Sequence, residues 1–153
     1  MRVYRIAQAE FAEELSGEGA RLYGGRWNPP GRAMLYTANS TALAALEILV
    51  GFDWDLAPTL SLVELEVPDL PVEVIAAEEL PDDWCRPGNP SLRRIGAQWL
   101  ESKKTLALEV PSAAIPTAPD GFNLLLNPAH SRFAEIKISK VLDFRFDTRL
   151  AGK

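Results

Sequence analysis

Twelve prolines lie between residues 29 and 128, and each removes a backbone donor and fixes a dihedral, so the elements of this chain must fit between them. Leu60 to Val67, bounded by Pro58 and Pro68, predicts a short strand, and Val72 to Ile75 predicts another. Arg2 to Ile6, Met34 to Ala38, Thr105 to Val110, Asn123 to Leu126, Glu135 to Val141 and Asp143 to Asp147 read as further strands. In the last of these Phe144 and Phe146 point one way, Arg145 and Asp147 the other. Helices are expected over Gln8 to Leu15, ended by Gly17, and over 41–51, capped by Asn39 or Ser40 and ended by Gly51. A third follows Ser91, where Leu92, Ile95 and Trp99 recur at helical spacing. Many short strands with two or three helices predict an α+β domain with a mixed or antiparallel sheet, not a doubly wound one.

The 153 residues suit one domain spanning 1–153. With 47% hydrophobic and 24% charged residues, the chain can bury a core and is not a disordered or fibrous sequence. One cysteine, Cys85, leaves no intramolecular disulfide, and one histidine, His130, argues against a His/Cys zinc cage. No run approaches the roughly 18 apolar residues of a membrane span. The N-terminal Met1 to Ile6 runs at once into Glu10, Glu13 and Glu14, unlike a signal peptide, so a cytoplasmic location is expected. The net charge of −5 argues against a nucleic-acid surface. Residues 58–85 carry eight acids and no cation, whereas residues 86–153 carry eleven cations and six acids. That asymmetry fits an anionic ligand or a charged partner, or faces that simply pair and solvate.

Several chemistries fail at the motif level. There is no Gly-x-Ser-x-Gly elbow, no Ser-x-x-Lys and no Walker loop, and the Gly-x-Gly at 17–19 meets Leu22 where a dinucleotide fingerprint needs glycine. Cys85, between Trp84 and Arg86 in a proline-rich acidic loop, makes a poor nucleophile for His130. Two features are positive. Five of the ten glycines fall in 17–31, which suits tight turns or the close approach of a ligand. Arg26 within that run offers a planar fork for a phosphate, or a structural contact, while Trp27 reads as a loop anchor. The second is Glu47, the only charged residue between Asn39 and Phe52, in the same helical arc as Leu43, Leu46 and Val50. A carboxylate turned toward apolar neighbours needs a partner: either a functional site or an ion pair with an arginine of the glycine-rich run.

The block Gly19-Ala-Arg-Leu-Tyr-Gly-Gly-Arg-Trp-Asn-Pro-Pro-Gly31, followed by Leu35-Tyr-Thr-Ala38 and Ala44-Ala-Leu-Glu47, resembles the RES-domain family, the toxins of RES–Xre toxin–antitoxin pairs. Val110-Pro-Ser112 and Asn127-Pro-Ala-His130 extend the likeness in the same order over nearly the whole chain. The resemblance implies an ADP-ribosyltransferase-like fold, with a split mixed or antiparallel sheet, a few flanking helices, and an NAD pocket in the cleft. It implies a toxin that depletes NAD by cleaving the nicotinamide–ribose bond through hydrolysis or phosphorolysis. The alternatives are a mono-ADP-ribosyltransferase acting on a specific protein and a non-catalytic nucleotide-binding module. NAD is then a substrate, no further cofactor or metal is implied, and an Xre-type antitoxin that covers the pocket is the expected partner in a hetero-oligomer.

Carried onto this sequence, the family's arginine, tyrosine, glutamate and serine fall on Arg26, Tyr36, Glu47 and Ser112. The resemblance implies that Glu47 stabilises the opening ribose, Arg26 holds the pyrophosphate or a ribose, Tyr36 stacks on nicotinamide, and Ser112 orients the ribose or Glu47. Tyr36 also suits a core position and Ser112 the end of a strand. Arg21 is either a second phosphate contact or a surface residue. Asn127 and His130 read first as turn formers, with NAD contact as the alternative.

Overall fold

The computed structural model describes residues 1–152, and its seven strands form one mixed sheet in the order β4-β5-β6-β2-β1-β3-β7. The strands are β1 (Arg2–Gln8), β2 (Leu35–Ala38), β3 (Leu60–Glu66), β4 (Val72–Val74), β5 (Ala107–Pro111), β6 (Phe122–Leu126) and β7 (Lys137–Phe144). Only β4 and β5 run parallel; every other pair is antiparallel. The helices are α1 (Glu18–Tyr23), α2 (Thr41–Leu49) and α3 (Pro90–Ser102). The α+β class and mixed sheet expected from the sequence are those of the structure.

Alternation along the strands buries both faces. Leu124 and Leu126 join Val3, Leu35, Val63 and Leu65 on one face, whereas Leu125 turns to the other, against Trp27, Trp99 and Leu108. Beside this second group, Ile6, Ala38 and Leu60 pack under Leu43 and Ala44 of α2. The helix starts as its sequence dictates: the Ser40 hydroxyl accepts a hydrogen bond from the Leu43 amide at 3.1 Å.

At its centre the sheet nearly divides. Strands β1 and β3 pair over seven positions, but β1 meets β2 only at Tyr4 opposite Ala38. Beyond that junction the two strands separate, and the gap becomes the cleft described below. This is the split that the family resemblance implies.

Three sequence expectations are corrected. Gln8 to Leu15 is not a helix: Gln8 still pairs with Leu60 in the sheet, and only a single 3-10 turn, Ala9–Phe11, follows. The helix forms instead inside the glycine-rich run, where Gly17 adopts φ 72° and caps α1. An added Cβ at Gly17 would lie 2.8 Å from the Met34 backbone, so that start requires glycine. The third helix begins earlier than Ser91, because Asn89 is the cap, its Oδ1 accepting from the Ser91 amide at 2.9 Å with Pro90 in the first turn. The two C-terminal strand candidates are one strand, preceded by a 3-10 turn at Phe133–Glu135.

Candidate active site

The cleft between the diverging strands has a volume of about 740 Å³, within the range of small-molecule sites. Its walls are residues 5–8 of β1 and residues 35–38 of β2. The closed end is made by Ala44, Glu47 and Ile48 of α2 together with Asn123.

Glu47 is half-buried and its Oε1 accepts two short hydrogen bonds, from Ser112 Oγ and from Asn123 Nδ2, both at 2.6 Å. Ser112 is buried behind it and is itself fixed, since its hydroxyl accepts from the Ala114 amide at 3.1 Å. Among the described residues no ion pair reaches Glu47, so the expected alternative of an arginine from the glycine-rich run is not what holds it. Two neutral donors on one oxygen hold the carboxylate in a single orientation without neutralising it. The helical arc differs from expectation in one respect: Val50 is exposed, and Leu43 and Ala44 are the buried positions.

Tyr36 lines the cleft, yet its hydroxyl is committed. It accepts from the Trp27 amide at 3.0 Å and donates to Asn28 Oδ1 at 2.6 Å, while burial pushes the phenol well above its ordinary range. Asn28 is fully buried and donates in turn to the carbonyls of Ala20 and Arg32, both at 2.8 Å. The glycine-rich run is thus clamped by one phenol, and Gly25 must be glycine because a Cβ there would lie 2.6 Å from the Tyr36 hydroxyl. Tyr36→Phe leaves a buried Asn28 oxygen without its donor and is expected to cost about 1–3 kcal/mol, readable by denaturant titration.

Arg26 does not line the cleft. Its Nη1 donates to the carbonyls of Trp84, Cys85 and Arg86, at 3.3, 3.1 and 3.5 Å, and so ties the glycine-rich run to the loop before α3. Trp27, 1% exposed, is the loop anchor its sequence suggested. Three other candidates lie off the cleft. Asn127 is buried with its Nδ2 on the Leu100 carbonyl at 2.9 Å and its Oδ1 on the Ala129 amide at 3.0 Å, which makes it a turn former. His130 Nδ1 accepts from the Arg132 amide at 3.1 Å. Arg21 is bidentate to Glu18 at the surface.

Two cleft residues escaped sequence reading. Asn123 is the second residue of strand β6, where only its long-range contact with α2 reveals a role. Arg5 shares its strand face with the buried Val3, and no local motif marks it. In the structure it lines the cleft, with Nη1 on the Glu14 carbonyl at 2.6 Å. Burial pulls its pKa below the ordinary arginine value, against the opposing effect of Glu14. Among the described residues no carboxylate pairs with it, and no cluster of His, Cys, Asp or Glu could hold a metal. No described helix is long and apolar enough to cross a membrane.

The fold has a counterpart among solved structures. A chain of the MbcT–MbcA toxin–antitoxin complex of M. tuberculosis superposes with a TM-score of 0.75 over 94% of this chain and 83% of that one, at 23% identity, a likeness of fold. The family model described as RES domain matches residues 2–147, and this chain belongs to the RES domain family. It is 37% identical over 154 residues to "Toxin Res" of Photorhabdus laumondii, covering 98% of this chain and 97% of that protein. It is 40% identical over 160 residues to "Prs ADP-ribosylating toxin" of a Sphingobium strain, covering 99% and 96%.

Proposed function

We propose that this chain is the toxin of a type II toxin–antitoxin pair and that it cleaves the nicotinamide–ribose bond of NAD. The observation that carries the proposal is Glu47, held by Ser112 and Asn123 at the closed end of a cleft large enough for a dinucleotide. Nicotinamide is attached as a cationic pyridinium and leaves as a neutral base, so the step needs no general acid. Ordinary glycosidases need two carboxylates; here one suffices. Glu47 stabilises the oxocarbenium-like charge as the bond opens and hydrogen-bonds a ribose hydroxyl with its free oxygen. Tyr36 presents its ring to the nicotinamide. Ser112 acts through Glu47 as a positioning residue. NAD is the substrate and no cofactor takes part.

The pyrophosphate role expected of Arg26 passes to Arg5, the cation that faces the cleft without a carboxylate partner. Arg26 supports the site from behind, through the loop at 84–86. Arg5→Ala is therefore expected to raise the KM for NAD by about tenfold or more with a smaller change in kcat, since it removes a charge-assisted contact made alike in ground and transition states. Arg26→Ala is expected to act mainly on thermal stability. Steady-state nicotinamide release and a melting curve on each variant separate the two.

The name of the Sphingobium relative favours a second reading, in which ADP-ribose passes to a protein side chain instead of water or phosphate. Both readings share the bond-breaking step. Incubation of the purified chain with NAD, with and without phosphate, and identification of products by mass decides between them: free ADP-ribose, its phosphorylated form, or a mass gain on protein. An Xre-type antitoxin that covers the cleft completes the proposal, and the complex is expected to release nicotinamide far more slowly than the free chain.

A further inference from the structure

We propose that Phe11 and Tyr23 form an aromatic collar at the mouth of the cleft that stacks on the adenine of the dinucleotide, so that NAD enters nicotinamide first; this rests on the NAD reading above. The two side chains line the cleft but are largely bare, Tyr23 81% and Phe11 53% exposed, in a protein whose other large aromatics mostly pack inward. Singly exposed hydrophobics are ordinary; two exposed aromatics lining one cavity invite a planar ligand.

The order of chemistry along the cleft selects that ligand. Its closed end is at the β1–β2 junction, Tyr4 opposite Ala38, where Asn123 also pairs with Ala38 and holds Glu47. Arg5 is the first β1 residue past the junction. The strand then advances about 3.3 Å per residue to Gln8 and turns through Ala9–Phe11, which brings Phe11 to the open end. Helix α1 reaches the same end from the other wall, because Gly17 packs on Met34, just before β2 begins. From inside to outside the cleft therefore offers a carboxylate, a guanidinium and aromatic rings. A ribose that gains positive charge, a pyrophosphate and a purine follow in the same order in NAD.

The acids at the mouth do not oppose this. Glu18 is paired with Arg21, and Glu14 Oε1 accepts from the Ser16 amide at 2.8 Å. Recognition by stacking tolerates changes at the edge of the base.

Nicotinamide mononucleotide carries the same scissile bond without the adenosine phosphate, so the ratio of kcat/KM for NAD to that for the mononucleotide reads the outer contacts together, and its change in a Phe11/Tyr23 variant reads the collar's share. In the wild-type chain that ratio is expected to be about tenfold or more, and nicotinamide hypoxanthine dinucleotide to match NAD within a few-fold. The Phe11→Ala/Tyr23→Ala variant is expected to lose most of the ratio and Tyr23→Phe to keep it; both positions are exposed, so the fold is retained. An unchanged ratio in the double alanine variant overturns the collar, as does strong rejection of the hypoxanthine analogue. A double variant that loses antitoxin affinity while keeping the ratio makes the collar a protein-binding surface instead and equally overturns the proposal. Absence of nicotinamide release from either substrate by the wild-type chain is a different failure, that of the NAD reading itself.

Discussion

Glu47→Gln is expected to lower nicotinamide release from NAD by about 10²- to 10³-fold or more while leaving the melting temperature within a few degrees of the parent. The substitution is chosen for what it keeps. A glutamine amide oxygen can still accept from Ser112 Oγ and Asn123 Nδ2, so the two hydrogen bonds at 2.6 Å and the packing of α2 survive. What disappears is the negative charge on the oxygen that faces the cleft, and that charge has value only as the ribose becomes cationic. The loss therefore belongs in kcat more than in KM. Near-normal turnover with an intact fold removes Glu47 from the chemistry. Equal loss of activity and stability would show that the carboxylate is a structural acceptor for Ser112 and Asn123 and nothing more.

The parts of the site legible in the sequence are those carried by local rules. Ser40 before an apolar run announces α2, and a lone acid on that helix announces Glu47. Its partners are not local: Ser112 lies 65 residues away and Asn123 lies 76 away, and only sheet register brings β5 and β6 beside α2. Arg5 fails for a related reason. Alternation puts it on the face of the buried Val3, but β1 parts from β2 one residue earlier, so its side chain faces a cleft that no period records. The glycine-rich run is a place of close approach, as its composition suggests, and what approaches Gly25 is the Tyr36 hydroxyl. The helix expected at Gln8 to Leu15 lost to the sheet, since eight residues make a marginal helix and the ladder to Leu60 extends β1 through Gln8.

The largest stability effect is expected at a residue no motif marks. Gly96 is buried in the middle of α3, and a Cβ built there would stand 1.7 Å from the Trp27 carbonyl oxygen and 2.8 Å from its carbon. The obstacle is backbone, so no side-chain rotation relieves it. The helix and the Arg26–Trp27 strand of the loop must separate by more than an ångström, which undoes packing around Trp27, Leu92 and Trp99. Alanine recovers about 1 kcal/mol of helix propensity, but overpacking of this kind costs about 3 kcal/mol or more. Gly96→Ala should then lose about 2 kcal/mol net or more, a fall of roughly 4–8 °C in the melting temperature. Gly19→Ala is the control: it too sits in a helix, nothing lies within 4 Å of its added Cβ, and it should match or slightly exceed the parent in stability. Because Trp27 also donates its amide to Tyr36 at 3.0 Å, Gly96→Ala should weaken the site as well as the fold. Equal melting temperatures for the two variants would mean that the contact between α3 and the glycine-rich loop does not hold the two together in solution.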